Sequence, residues 1–237
     1  MSLGTICTNA LNAMSGFNVP TSFFGSANPT SVTMVALANE EGCDLEKMER
    51  WQELITEYTF PTVAGTASYN LPEDFRAFAQ MSQWDRSNIF RFRGPVPSFV
   101  WQWLNAGVSV ASSISGDWFM IRNNKFHIYP TPTSVRTGAF DYYSKNFVLK
   151  EVDGLFSRYW TSDNDTARLD EVLMTAGLKW RFLQAKGYPF ETEYKRWEAI
   201  KESLVADNGA KPVISLSSPP MWSGIGEPNI PDTGYGS

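Results

Sequence analysis

The residues of this chain that could do chemistry are few and poorly placed for one another. Histidine occurs once, as His127 in an alternating apolar and polar run, and no acid can be assigned to orient its ring. A lone imidazole without an orienting partner reads as structural rather than as a general base. The only thiols, Cys7 and Cys43, lack Cys-x-x-Cys spacing and lie on or beside helical stretches, so they read as inert, reduced cysteines. Glu40, Glu41, Asp44, Glu46 and Glu49 could supply the paired carboxylates of glycoside chemistry. Helical spacing, however, puts Glu46 and Glu49 away from the Trp51 stripe, as a solvated face. Asp163, Asp165, Asp170 and Glu171 form a second acidic group. A calcium loop would want more oxygen ligands and a sharp glycine turn, and Asp163-Asn164-Asp165 ahead of a helix reads instead as a capping cluster. The sequence has no glycine-rich phosphate loop, no His-Glu-x-x-His and no Gly-x-Ser-x-Gly. No catalytic residue, cofactor or metal is expected, and the chain reads as a non-enzyme.

Composition narrows the class further. A chain of 237 residues can bury roughly 70–75% of its unfolded surface, so it needs neither disulfides nor metals to fold. Its 43% hydrophobic content argues against intrinsic disorder. No apolar run approaches the roughly 18 residues of a membrane span, and the opening Met-Ser-Leu-Gly carries no secretory signature. A net charge of −5 argues against tight non-specific binding to nucleic-acid backbones. Charged residues make up 19% of the chain, below the ~25% expected of a soluble domain, whereas aromatics reach 14%. A surface short of charge and rich in Trp and Tyr suits burial against partner subunits, although a large aromatic core would give the same figures.

The elements that must position these residues fall into three blocks. Leu3, Ile6, Cys7, Ala10, Leu11 and Met14 recur at helical spacing. A turn-rich connection comes next over residues 17–25, and Asn28-Pro29 starts a second helix that runs to Gly42. A further helix is expected from Asp44, with Leu45, Met48, Trp51, Leu54, Ile55 and Tyr58 as its stripe. From Thr59 the period changes. Strands are expected over residues 60–63, 66–71 and 78–84, while Pro95 and Pro97 bar a central strand and residues 99–104 fit either a short helix or a strand. Residues 118–122 and 125–130 form a hairpin about Asn123-Asn124, a pair that tolerates the positive φ of a tight turn. Residues 135–144 make another strand. Helices return with Leu169, Val172, Leu173, Ala176, Trp180 and Leu183, and then with Phe190, Tyr194, Trp197, Ile200 and Leu204 inward.

The last 29 residues differ. Fifteen are Gly, Pro or Ser and only Lys211, Glu227 and Asp232 are charged, so regular structure is not expected there. Yet Val213, Ile214, Leu216 and Met221, then Trp222, Ile225, Ile230 and Tyr235, are apolar groups that a free arm would show to water. The arm reads as an extended segment that orders on a neighbour, with these eight residues as partner-binding candidates and Trp222 and Tyr235 as anchors.

Several phrases occur in a familiar order: Trp51-Gln52-Glu53-Leu54; Gly65 to Arg76, with its Gly-x-x-x-Tyr-x-Leu-Pro-x-Asp-Phe pattern; the hairpin from Met120, ending in Tyr129-Pro130-Thr131-Pro132; Phe140-Asp141-Tyr142-Tyr143-Ser144-Lys145; and Leu169-Asp170-Glu171 with Leu178-Lys179-Trp180-Arg181-Phe182. In these the chain resembles the head-to-tail adaptor (connector) proteins of tailed bacteriophages and is similar to the tail tubular protein A group, over about residues 28–207. The stretch 94–116 and the Pro-rich end match no phrase of that family. The resemblance implies a structural virion protein at the head–tail junction, made in the host bacterial cytoplasm. It implies a homo-oligomeric ring, commonly a dodecamer, under the portal protein ring, monomeric before assembly. The ring would dock the tail or the next connector protein, while DNA passes through its lumen without specific binding; no membrane is involved. Ring closure needs two different complementary faces on each subunit, which fits the sparse surface charge.

The expected fold is α+β, with N- and C-terminal helices (residues 1–58 and 160–208) forming a helical body around an inserted antiparallel β portion (residues 59–149). Together these make an adaptor domain over residues 1–208, followed by the extended Pro/Gly-rich arm at 209–237. Two other readings stand beside it: another connector layer, such as a stopper or tail terminator, and a carbohydrate-binding or -cleaving virion protein that stacks sugars on Trp101 or Trp103. The placement of Trp51, Trp180 and Trp197 on core stripes weakens the last.

Overall fold

A computed structural model describes residues 1–14, 16–79, 81–106 and 116–208. Among the described residues, five α-helices and eleven short strands make an α+β fold with the strands gathered between helices at either end, and every pairing between these strands is antiparallel. Helix α1 (Leu3–Asn12) begins at Ser2, whose hydroxyl accepts the Thr5 N–H. Helix α2 (Pro29–Met48) begins as its sequence predicts, with the Asn28 side chain accepting the Thr30 N–H at 2.9 Å and Pro29 at the first helical position.

Beyond that start, α2 departs from expectation. It does not stop at Gly42 and restart at Asp44, and it ends at Met48 rather than running on to Tyr58. A single 3₁₀ turn (Gln52–Leu54) leads straight into strand β1 (Ile55–Pro61). The segment fits both periods, since Leu54, Ile55 and Tyr58 satisfy 3.6 while Thr56, Tyr58 and Phe60 satisfy 2.0. Seven residues of pairing with a distant strand decide it. Gly42 stays within the helix because the Phe147 ring lies where a side chain would project: a Cβ there would come within 2.1 Å of it.

Next come β2 (Ser68–Asn70), β3 (Phe75–Phe78), β4 (Trp84–Asp85) and β5 (Phe90–Arg91), so the strand expected over residues 78–84 is instead two strands parted by a turn in which Met81 has φ 55°. Residues 98–105 resolve as helix α3 (Ser98–Asn105). The hairpin of β6 (Trp118–Arg122) and β7 (Lys125–Tyr129) stands as read, with Asn123 and Asn124 at φ 51° and 56°. Strand β8 (Thr137–Ser144) is the hub of the largest sheet. It pairs with β1 from Tyr143 opposite Ile55 to Thr137 opposite Pro61, and on its other side with β3 and β4, with β5 beyond β4. A second sheet has the order β2-β7-β6. A third, small one is made by β9 (Val148–Leu149) between β10 (Phe156–Ser157) and β11 (Thr166–Ala167). Helices α4 (Glu171–Ala185) and α5 (Glu191–Asn208) close the chain.

Two apolar cores result. One gathers α1, α2, α4 and α5 around Ile6, Leu11, Met34, Leu45, Phe147, Leu178 and Phe182, with Trp51, Trp160, Trp180 and Trp197 buried among them. The other lies between the two larger sheets and is almost wholly aromatic. Phe126 of β7 stacks on Phe119 (4.7 Å between centroids) and on Phe140 of β8 (5.8 Å), and Phe60 covers Gly138 directly across the ladder.

The Gly42 contact makes a prediction. Alanine is the better helix former by about 1 kcal/mol, so Gly42→Ala on an open helix would stabilise. Against the Phe147 ring it should instead lower the unfolding free energy by about 1–2 kcal/mol, read from urea denaturation midpoints.

Candidate functional site

The phrase over residues 71–76 is where the two cores meet. Leu71 is buried in the aromatic core and Phe75 stacks on Tyr142 at 5.8 Å. Asp74 accepts hydrogen bonds from the Tyr142 hydroxyl at 2.9 Å and the Ser144 hydroxyl at 2.5 Å, fixing the turn to the end of β8. Burial, together with the hydrogen bond to Asp74, holds the Tyr142 phenol above its ordinary range. Arg76 points the other way. Its guanidinium donates to the main-chain carbonyls of Glu46, Lys47 and Glu49 at the C-terminus of α2, and its Nε lies 3.4 Å from the Glu46 carboxylate. Those carbonyls have no partner within the helix, and an arginine there satisfies them and the negative end of the helix dipole. Glu46 is buried, contrary to the solvated face expected of it. Burial raises its pKa, with Arg76 opposing.

A second ionic junction ties the helices together. Arg181 of α4 donates Nε–H to Glu41 at 2.5 Å, Nη1–H to Glu40 at 2.7 Å and Nη2–H to Asp44 at 2.8 Å, all three acids standing on α2. Trp197 of α5 donates its indole N–H to the other Glu41 oxygen at 2.8 Å. Gly177, one turn before Arg181, leaves room for this carboxylate: a Cβ there would lie 2.1 Å from Glu41 Oε1. Burial raises the Glu41 pKa, opposed by Arg181. Burial likewise works to lower that of Arg181, but its three acids raise it overall. Glu40, Glu41 and Asp44 therefore hold α2 and α4 together, with α5 tied in through Trp197.

The other chemical candidates are engaged in the same way. Helix α4 is capped by Asp170, whose side chain accepts the Leu173 N–H, and not by the Asp163–Asp165 group expected to do so. Asp163 instead accepts from the main-chain N–H groups of Phe23 and Phe24 and the hydroxyl of Ser22, pinning the loop between α1 and α2. Asp165 accepts from Glu151, Thr161 and Ser162. Burial works to raise its pKa, and these donors hold it below the usual carboxylate range. Cys7 is buried, which pushes its thiol up to about 12, far from a reactive thiolate. His127 shares a 2.8 Å hydrogen bond with the Ser68 hydroxyl, and its other nitrogen lies 3.3 Å from the Arg122 carbonyl. Among the described residues no three His, Cys, Asp or Glu stand as a metal site. A groove of about 200 Å³ beside Val172, Lys179 and Arg196 and another of about 260 Å³ beside Met81, Arg91 and Pro95 are smaller than the ~300–1,000 Å³ of small-molecule sites.

Large apolar side chains nevertheless remain in water on ordered elements. Val152 (86% exposed), Leu155 and Phe156 crown the β9–β10 hairpin. Ile89 (83%) tips the β4–β5 turn. Phe99 (75%) and Trp103 lie one turn apart on α3. Trp101 is half-buried, edge-on to His127 at 6.1 Å and Tyr129 at 6.4 Å. It therefore lies on the opposite side of α3 from Trp103, and the two rings offer no common stacking platform for a sugar. The sequence singled out neither the hairpin nor Ile89. The eight partner-binding candidates of the arm, from Val213 to Tyr235, lie outside the described residues.

A family model described as SU10 adaptor protein matches residues 1–211. No curated protein matches the chain.

The Arg181 junction sets a pH-dependent stability. A carboxyl whose folded pKa is raised stabilises the fold below its unfolded value of 4.5 and loses that contribution as pH rises through the folded value. Arg181→Met leaves Glu41 buried without its cation, so the variant should lose about 3–5 kcal/mol at pH 7.5. Urea titrations at pH 7.5 and 4.5 should find a distinctly smaller deficit at the lower pH, where Glu41 takes up a proton.

Proposed function

The chain belongs to the SU10 adaptor protein family, and on that premise we propose that it is a head-to-tail adaptor that assembles as a ring beneath the portal, extends the DNA channel and docks the tail or the next connector. It is a phage adaptor, a structural component of the virion. No helix among the described residues is long and apolar enough to cross a membrane.

The observation that carries the ring reading is the set of exposed Val152, Leu155, Ile89, Phe99 and Trp103 on ordered elements. A closing ring needs two different faces per subunit, and apolar projections on separate hairpins and on α3 are what such faces are made from. A net charge of −5 suits a lumen past which DNA slides without sticking, and suits a monomer that stays dissolved until a portal templates it. The function is structural, with no enzymatic step and with residues 1–208 as the ring-forming body. Of the eight apolar candidates in the arm at 209–237, the distal five, Met221, Trp222, Ile225, Ile230 and Tyr235, anchor on the portal or a neighbouring copy, and this distal part orders only once that partner is present.

The purified chain mixed with portal rings of its own phage should move in size exclusion to a ring-sized complex, visible as an added layer in negative stain. Trp222→Ala with Tyr235→Ala should leave the monomer's circular dichroism intact and weaken portal binding at least about tenfold, the loss of two aromatic anchors. Full portal binding by the double variant would remove the arm from the interface, and failure of the wild-type chain to join portal rings would overturn the adaptor reading.

A further inference from the structure

Strand β1 is an edge. All seven of its residues pair with β8, whose other side is taken by β3 and β4, and among the described residues no main-chain group from another segment pairs with the outer side of β1. At the head of the strand Arg168 donates to the Ile55 carbonyl at 3.3 Å, and the edge beyond it is a template for one more strand. Its two faces also differ. Thr56, Tyr58 and Phe60 turn toward the aromatic core, while Glu57 and Thr59 are exposed on the other side.

The chain leaves the helical body at the head of this edge. Asn208, the last residue of α5, accepts the Gln52 N–H at 3.1 Å, donates its amide to the Arg50 carbonyl at 3.1 Å, and takes the Gln52 side-chain amide on its own carbonyl at 2.6 Å. Gln52 begins the 3₁₀ turn, so Ile55 lies only about 6 Å further on. After Asn208 the chain reads Gly209-Ala210-Lys211-Pro212 and then Val213-Ile214-Ser215-Leu216-Ser217, with Pro219-Pro220 just beyond. Of the six residues between Pro212 and Pro219, the first five alternate, Ile214 and Leu216 falling on one face and Ser215 and Ser217 on the other, which is the pattern of a half-buried strand.

We propose that residues 213–217 of the same chain add to the outer edge of β1 as a further strand, parallel to it. Chain length sets the direction. The five steps from Asn208 to Val213 span at most about 17 Å, enough to reach the Ile55 end of β1 but short of the Pro61 end, some 26 Å away at 3.3 Å per residue. Run this way, Ile214 and Leu216 extend the apolar face beside Thr56 and Tyr58, and the two serines lie with Glu57 and Thr59. Pro219-Pro220 then ends the pairing near Pro61, from where Met221 and Trp222 project. The added strand thus sets the point from which the anchoring part of the arm departs. It belongs to the isolated chain and stands or falls without any portal or ring.

Hydrogen exchange of the full-length chain, followed by mass spectrometry, tests it. In the wild type the amides of residues 55–60 that point away from β8 should be protected equally across a wide range of protein concentrations. Ser215→Pro removes a main-chain donor from the added strand and should speed exchange of these amides about tenfold or more while leaving peptides of α2 and α4 unchanged. Ile214→Ser with Leu216→Ser should do the same by removing the apolar face. Unchanged β1 exchange in both variants would overturn the proposal. So would β1 protection that appears only as the protein is concentrated, which would make a second copy the occupant.

Discussion

The two apolar cores of this protein are joined by charge. Arg76 reaches from β3 to close the C-terminus of α2, and Arg168 reaches from the end of the small sheet to the carbonyls of Asn146 and Ile55 while its guanidinium lies 4.0 Å over the Phe156 ring. Apolar contact would let the halves slide, since hydrophobic burial has no preferred direction. A guanidinium bound to main-chain carbonyls does have one, because its donors are fixed in a plane. The relative placement of helices and sheets therefore depends on a few planar forks whose partners are themselves immobile.

The same economy governs the acids of the described residues. Glu40, Glu41 and Asp44 converge on Arg181, Asp163 and Asp165 close loops around α1 and α4, and Asp85 and Asp117 share Arg136. Each of these acids is held by donors from within the fold. Among the charged groups that do face water stand large exposed apolar side chains, at Val152, Ile89 and Phe99. A chain that spends these acids within itself and leaves such side chains at its margins is organised for contact with other chains.

What the sequence disclosed was whatever is decided locally. Asn123-Asn124 sets its own backbone angles and Asn28-Pro29 its own cap, so the hairpin and the start of α2 were legible without any tertiary partner. The boundary between α2 and β1 was not, because Trp51 to Tyr58 satisfies both periodicities and the choice is made by β8, more than seventy residues later. The acids misled for the same reason. Asp163 looked like a cap because capping is the commonest local use of Asp, yet its donors at Phe23 and Phe24 are about 140 residues away. Glu46 looked solvated because its cation, Arg76, is remote, and nothing local announced that Glu41 would meet Arg181. One signal was available: Arg181 stands inside Leu178-Lys179-Trp180-Arg181-Phe182-Leu183, where a permanent charge in an apolar stripe requires buried counter-charge.

The segregation of aromatic types between the cores has an optical consequence. The indoles of Trp51, Trp160, Trp180 and Trp197 all belong to the helical core, whereas the core between the sheets is lined by phenylalanine and tyrosine. Blue-shifted emission thus comes chiefly from the helical core, the exposed indoles of Trp84 and Trp103 contribute a quenchable red component, and the half-buried Trp101 and Trp118 flank the sheets with intermediate shielding. Each half of the molecule carries its own spectroscopic label, and the order in which the halves come apart can be followed without attaching a dye.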